Sequence, residues 1–194
     1  MNYRIDKRAL LEIMELWNGF LRKKVHFIAC GGTAMTLLEV KPSTKDIDFM
    51  VPNIKEYNYL INIIKALDYK QVTGNGWKRE GDKFIFDLFR GNYIHTTELL
   101  ESPLVNDNHR LMKEYSHLYI GILNDYDLIS SKLIRGTAID YDDCKELVQA
   151  RSSHIDIARL ESHYLKLASY DVAEERVKKH IEHFIQLLRK EKIV

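Results

Sequence analysis

Three aspartates set in apolar surroundings carry the chemistry open to this chain. Asp46 and Asp48 flank Ile47 in "DIDFMV", and Asp87 stands between Phe86 and Leu88 in "KFIFDLFR". Side chains of an extended segment alternate sides, so Asp46 and Asp48 are expected on one face. Two carboxylates that close repel; unless a cation sits between them, one should take up a proton. Asp87 is the stronger signal, because an unpaired carboxylate among apolar groups is costly. If the strands are neighbours, the three carboxylates converge on a hard, oxygen-seeking cation, for which Mg²⁺ is the usual choice when phosphates supply the remaining ligands. Upstream, "ACGGTAMTLL" ends an apolar run at Gly31 and Gly32 and then opens a helix. Glycines there let a phosphate approach backbone N–H groups that a side chain would shield. Together these are the parts of a phosphoryl-transfer site.

The elements that must position these groups follow from periodicity. Leu10, Ile13, Met14, Trp17 and Leu21 recur at helical spacing over residues 6–22. "VHFIACGG" reads as a buried strand ending at glycines, "TAMTLLEV" as a short helix starting right after Gly32, and "DIDFMV" as a strand stopped by Pro52. A helix capped by Asn53 follows. After a short strand at "YKQV", "WKRE" and "KFIFDLFR" read as a hairpin joined through Gly81 and Asp82. From Asp125 onward the pattern is helical: one helix closed by Gly136, then "DYDDCKELVQAR", then residues 154–168 and 171–190. The expected fold class is α+β, a mixed sheet flanked by helices (residues 1–124) followed by a helical region (residues 125–194).

Composition narrows the setting. At 194 residues, with 45% hydrophobic and 29% charged residues but only 9 Gly and 3 Pro, one compact unit is expected rather than a disordered chain. The formal charge of +1 gives no global electrostatic case for nucleic acid or a membrane surface, so any polyanion site must be local. The first residues are charged and helical in pattern, unlike a signal peptide, and no apolar run reaches the ~20 residues of a spanning helix. A cytoplasmic protein is the expectation. Cys30 and Cys144 are expected to be small buried fillers.

Gly31 and Gly32, thirteen residues, the Asp46-Ile47-Asp48 triplet and a later strand bearing Asp87 resemble the signature of the DNA polymerase beta nucleotidyltransferase superfamily. "GGTAMTLL" and "STKDIDFMV" are most similar to its small prokaryotic abortive-infection and toxin–antitoxin members. "DLISSKLIRGTAIDYDDCKEL" resembles that group's helical segment, in which a lysine, an arginine and two acidic residues recur, here Lys132, Arg135, Asp140 and Asp143. Members often carry an arginine shortly before the triplet. "KPST" stands there instead, which leaves Lys41, and Lys45 next to the triplet, as secondary candidates.

The resemblance implies two Mg²⁺ ions bound with an NTP, Asp46 and Asp48 holding both and Asp87 holding the one beside the nucleophile. Asp87 would also take the proton from the acceptor hydroxyl. Gly31, Gly32 and Thr33 would grip phosphates, and Lys132 and Arg135, three apart on one helix face, would neutralise the triphosphate or the leaving pyrophosphate. The competing account of Lys132 and Arg135 is a pair of salt-bridged bases, and that of Asp140 and Asp143 is the start of a helix. The implied activity is transfer of NMP to a macromolecular hydroxyl, on tRNA or protein, in a toxin-like or defence role with an antitoxin partner. Alternatives are an antibiotic-like acceptor, or a silent nucleotide- or partner-binding module. His180 and His183, and the basic residues Lys178, Lys179, Arg189, Lys190 and Lys192, read as solvated helix faces.

Overall fold

The computed structural model describes residues 3–194. Asp6 opens the first helix, α1 (Lys7–Phe20), by accepting the backbone N–H of Ala9, and Leu10, Met14 and Trp17 form its buried stripe. The chain divides into two units, Met1–Leu123 and Asn124–Val194.

The first unit continues with β1 (Val25–Ala29), α2 (Gly31–Leu37), β2 (Ile47–Val51), α3 (Ile54–Ala66), β3 (Lys70–Gln71), β4 (Gly76–Lys78), β5 (Phe86–Arg90), β6 (Tyr93–Ile94), β7 (Thr97–Glu98), β8 (His109–Glu114) and β9 (Leu118–Leu123). Seven strands form one mixed sheet in the order β3-β4-β5-β2-β1-β9-β8, while β6 and β7 pair separately. β1 runs parallel to β9 and antiparallel to β2, and β2 runs parallel to β5. The inner strands are short, nearly continuous apolar runs, as strands covered on both faces must be. Trp17 packs 5.9 Å from Phe27 and 4.6 Å from Phe86, and Phe27 lies 5.0 Å from Phe49, so aromatic rings fasten α1 to the sheet. Each buried ring of this kind contributes about 1.5–3 kcal/mol.

Several elements differ from expectation, and the differences bear on the site. The helix α2 starts at Gly31, not after Gly32, because Gly31 takes φ +54°, a conformation that folds the chain straight from β1 into the first helical turn. Strand β2 starts at Ile47, leaving Asp46 one residue outside the hydrogen-bonded ladder. β4 and β5 do pair antiparallel, but through residues 79–85 rather than a tight turn at Gly81 and Asp82. Strands β8 and β9 have no counterpart in the sequence pattern, yet they complete the sheet beyond β1, with β9 parallel to β1 and β8 at the edge.

The second unit is α4 (Asp125–Arg135), α5 (Ala138–Ala150), α6 (Ile157–Ala168) and α7 (Glu174–Lys190). Asn124 caps α4, Gly136 at φ +66° ends it, and Thr137 with Asp140 forms a capping box that starts α5. Helix α4 packs on the other three and is buried along most of its length. Val177, Ile181, Phe184 and Leu188 make the apolar stripe of α7, and the Tyr164 hydroxyl donates to the Val177 carbonyl at 2.9 Å. No helix among the described residues is long and apolar enough to cross a membrane.

Candidate active site

The register of two parallel strands builds the site. Asp48 on β2 stands directly opposite Asp87 on β5, so their side chains leave the sheet on the same face. Both are half-buried, while Asp46 is exposed just before β2. Burial pushes the Asp87 carboxyl above the ordinary carboxylate range, and the negative charge of Asp46 raises it further. Among the described residues no group of three His, Cys, Asp or Glu side chains is drawn together tightly enough to hold an ion. Asp46 lies one residue before the ladder, near enough for its charge to act on Asp87.

Two glycines make room for the carboxylates. A Cβ on Gly31 would lie 2.6 Å from Oδ2 of Asp48, and one on Gly76, across from Asp87 in β4, would lie 3.1 Å from Oδ1 of Asp87 and 2.3 Å from Oγ1 of Thr73. Gly31→Ala is therefore expected to be harmful twice over. The left-handed φ costs about 1–2 kcal/mol, and the new methyl displaces the Asp48 carboxylate, for which about a hundredfold loss of transfer is the scale. A thermal melt together with a transfer assay reads both; a variant as active and stable as wild type would mean that the Asp48 carboxylate is free to move aside.

Thr33, expected at a phosphate, is instead fully buried and employed inside the protein. Its hydroxyl donates to the Asp46 carbonyl at 3.2 Å and accepts the Asp48 N–H at 2.8 Å. Thr44 adds a second donor to the same carbonyl at 3.1 Å, and Thr44 is itself held by a backbone bridge to Ile5. Two hydroxyls thus fix the backbone on both sides of Ile47. Thr33→Val keeps the shape and leaves the Asp46 carbonyl to Thr44, but it takes the acceptor from the Asp48 N–H, an expected loss of about 1–3 kcal/mol; Thr33→Ser keeps both bonds and should melt within a few degrees of wild type. Thr44 and Gly76 were not singled out in the sequence. Thr44 had a signal in its place two residues before Asp46, whereas Gly76 becomes visible only through its pairing with Asp87.

Lys41 and Lys45 lie on the segment between α2 and β2, the first half-buried and the second exposed. Lys132, Arg135, Asp140 and Asp143 all belong to the helical unit, where they pair with one another. The Lys132 ammonium is 2.7 Å from Asp143, with side chains only 4% and 6% exposed. Arg135 grips Asp140 through two guanidinium nitrogens, and Thr137 adds its N–H at 3.1 Å and its hydroxyl at 2.7 Å. Burial of Asp140 works against its charge, but the bonds from Arg135 and Thr137 prevail and hold its pKa below the usual carboxylate value. The Cys144 thiol is fully buried beside them, and burial pushes its pKa far up, so it is inert.

The chain belongs to the family described as "Nucleotidyltransferase of unknown function (DUF6036)", which matches residues 8–191. It is accordingly a nucleotidyltransferase with a mixed α+β architecture. Comparison with curated proteins returned no match. Among solved structures, a protein of Thermotoga maritima assigned to the nucleotidyltransferases is similar over 77% of this chain and 98% of its own, at 15% identity and TM-score 0.48. One from H. pylori, likewise assigned, is similar over 96% of this chain and 97% of its own, at 14% identity and TM-score 0.47. The structure of ANT(2″)-Ia in complex with adenylyl-2″-tobramycin is similar over 92% of this chain and 94% of its own, at 13% identity and TM-score 0.41.

Proposed function

We propose that this enzyme transfers NMP from an NTP to a hydroxyl acceptor in an Mg²⁺-dependent reaction that releases pyrophosphate. The observation that carries the reading is the register of Asp48 opposite Asp87 beside Gly31. The residues fit a divalent cation on chemical grounds. Their donors are carboxylate oxygens alone, the set a hard ion prefers, and the charge of Asp46 on Asp87 is a repulsion that a cation would offset. Asp46, Asp48 and Asp87 would hold the metal, which when bound stabilises the charge on the attacking and leaving oxygens.

The protein's own groups do the rest. Gly31 lets the backbone at the start of α2 come close to a phosphate, and Thr33 and Thr44 hold the Asp46-Ile47-Asp48 backbone still. Asp87, with its raised proton affinity, accepts the proton of the acceptor hydroxyl. The acceptor oxygen then bonds to the α-phosphorus as the bond from that phosphorus to the bridging oxygen breaks, and pyrophosphate leaves. The acceptor proposed is the 3′ hydroxyl of a tRNA or a hydroxyl side chain of a protein, in a cytoplasmic toxin-like or defence role checked by an antitoxin partner. That part rests on the likeness of "GGTAMTLL" and "STKDIDFMV" to the abortive-infection and toxin–antitoxin group.

Each of the four α-³²P-labelled NTPs, incubated with Mg²⁺, total cellular RNA and protein, provides the test. Wild type should label RNA or protein with a preferred base, and Asp46→Ala/Asp48→Ala should not. Label in neither fraction, with NTP binding intact by calorimetry, would move the acceptor to a small molecule; equal labelling by the double variant would remove the carboxylates from the chemistry.

A further inference from the structure

Asp87 has two flanks in the sheet, whose order here is β4-β5-β2-β1. On one flank stands Asp48 and, against it, the glycine turn at Gly31, the side that the transfer reaction gives to metal and phosphate. On the other is β4, with Gly76 directly across from Asp87. An acceptor hydroxyl that delivers its proton to Asp87 is left with that second flank, where the loop of residues 72–75 joins β3 to β4.

The loop is firmly braced. The Val72 N–H donates to the Gly76 carbonyl at 2.8 Å, and the Gln71 side-chain amide donates to the Gly74 carbonyl at 2.6 Å. Leu88, the residue after Asp87, donates its N–H to the Asn75 carbonyl at 2.9 Å, which ties the loop to β5 itself. This bracing sets Thr73 beside the carboxylate. A Cβ on Gly76 would lie 2.3 Å from Oγ1 of Thr73, 2.8 Å from Cγ2 of Ile85 and 3.1 Å from Oδ1 of Asp87, so these three atoms surround one point. Two oxygens that close together can both be reached by a single further oxygen at about 2.8 Å. Thr73 is exposed and Asp87 half-buried, which leaves the approach open to a substrate.

The Thr73 hydroxyl accepts the Gly76 N–H at 2.8 Å, and so its own proton points elsewhere. Among the described residues that proton meets no acceptor, and the Asp87 carboxylate meets no donor. One donor and one acceptor side by side match a hydroxyl, which accepts one hydrogen bond and donates another.

We propose, resting on the reading of the protein as an NMP transferase, that Thr73 positions the acceptor. Its hydroxyl donates to the acceptor oxygen while that oxygen's proton faces Asp87, and the Ile85 methyl lies against the carbon that bears it. As the acceptor oxygen bonds to the α-phosphorus and pyrophosphate leaves, the acceptor proton passes to Asp87 and Thr73 keeps its own.

The test compares full-length wild type with Thr73→Val, Thr73→Ser and Gln71→Ala, using α-³²P-labelled NTP with the RNA or protein fraction that wild type labels, each varied in turn. Pyrophosphate released with water as the sole acceptor is read alongside. Thr73→Val should lower kcat/KM for the acceptor fraction, and pyrophosphate release into water, by about tenfold. NTP affinity by calorimetry should stay within about twofold, since the lost bond is on the acceptor side. Thr73→Ser keeps the hydroxyl and should transfer within about threefold of wild type. Because Thr73→Val also removes the acceptor of the Gly76 N–H, Gln71→Ala provides the control: it loosens the loop at Gly74, leaves the hydroxyl in place and should likewise stay within about threefold. Wild type that labels neither fraction and releases no pyrophosphate would overturn transfer itself, and this assignment with it. In a protein that does transfer, Thr73→Val as fast as wild type, Thr73→Ser or Gln71→Ala as slow as Thr73→Val, or a tenfold loss of NTP affinity in Thr73→Val would each overturn the role of Thr73 alone.

Discussion

Asp87→Asn should lose transfer by about 10²–10⁴-fold, the range for removal of a general base, and yet melt at a higher temperature than wild type near neutral pH. Both effects come from one arrangement. Asp87 stands half-buried opposite Asp48, and burial together with the Asp46 charge raises its pKa. The unfolded chain has no such surroundings, and its carboxyl titrates near about 3.9. Between that value and the raised folded one, the native state binds more protons than the unfolded state, so stability falls as pH rises through this window. Above it the full penalty is present; below about 3.9 it vanishes. Asparagine has the same shape without the charge, so the advantage of Asp87→Asn should be largest near neutrality and close at acid pH. Mg²⁺ should raise the melting temperature of wild type more than that of the variant. A variant that melts lower than wild type at neutral pH would mean that the carboxylate has a favourable partner in the free protein, contrary to the geometry described.

The carboxylate pair was legible in the sequence because strand periodicity is a local property. "DIDFMV" and "KFIFDLFR" are both short, apolar and bounded by turn residues, and each shows which residues share a face. The register that sets Asp48 against Asp87 is not local, since it depends on β2 and β5 being neighbours across about forty residues of chain. The same limit hid Gly76, whose missing side chain matters only because Asp87 is across from it. Strand β9, "LYIGIL", has no alternation to mark it as a strand, and a run of six apolar residues suits a buried helix turn as well. β8 carries a bulge between Leu111 and Lys113 that breaks its period of two. Thr33 shows a different limit. A threonine after two glycines at a helix start invites a phosphate reading, and only the position of the Asp46 carbonyl and the Asp48 N–H reveals where its hydroxyl is engaged.

Lys132 poses the same question with more energy at stake. Three residues before Arg135 on α4, it has a triphosphate role by the family resemblance, but its ammonium is 2.7 Å from Asp143 and almost wholly out of water. Removing one member of such a pair strands the other charge inside the helical unit. Lys132→Met should therefore destabilise the protein by about 3–5 kcal/mol, a fall in melting temperature on the order of 10 °C for a chain of this size. Lys132→Met/Asp143→Leu leaves no charge behind, and well-packed apolar replacements of a buried pair are often neutral. The double variant should thus recover most of the loss, and the coupling should be strongly non-additive. Additive losses in the two single variants and their combination would mean that the charges do not depend on each other for their burial. Transfer by the recovered double variant then separates scaffold from chemistry. A rate within about threefold of wild type confines the pair to stability. A loss of about a hundredfold or more at restored melting temperature would assign the Lys132 charge to the triphosphate, the role the family resemblance implies.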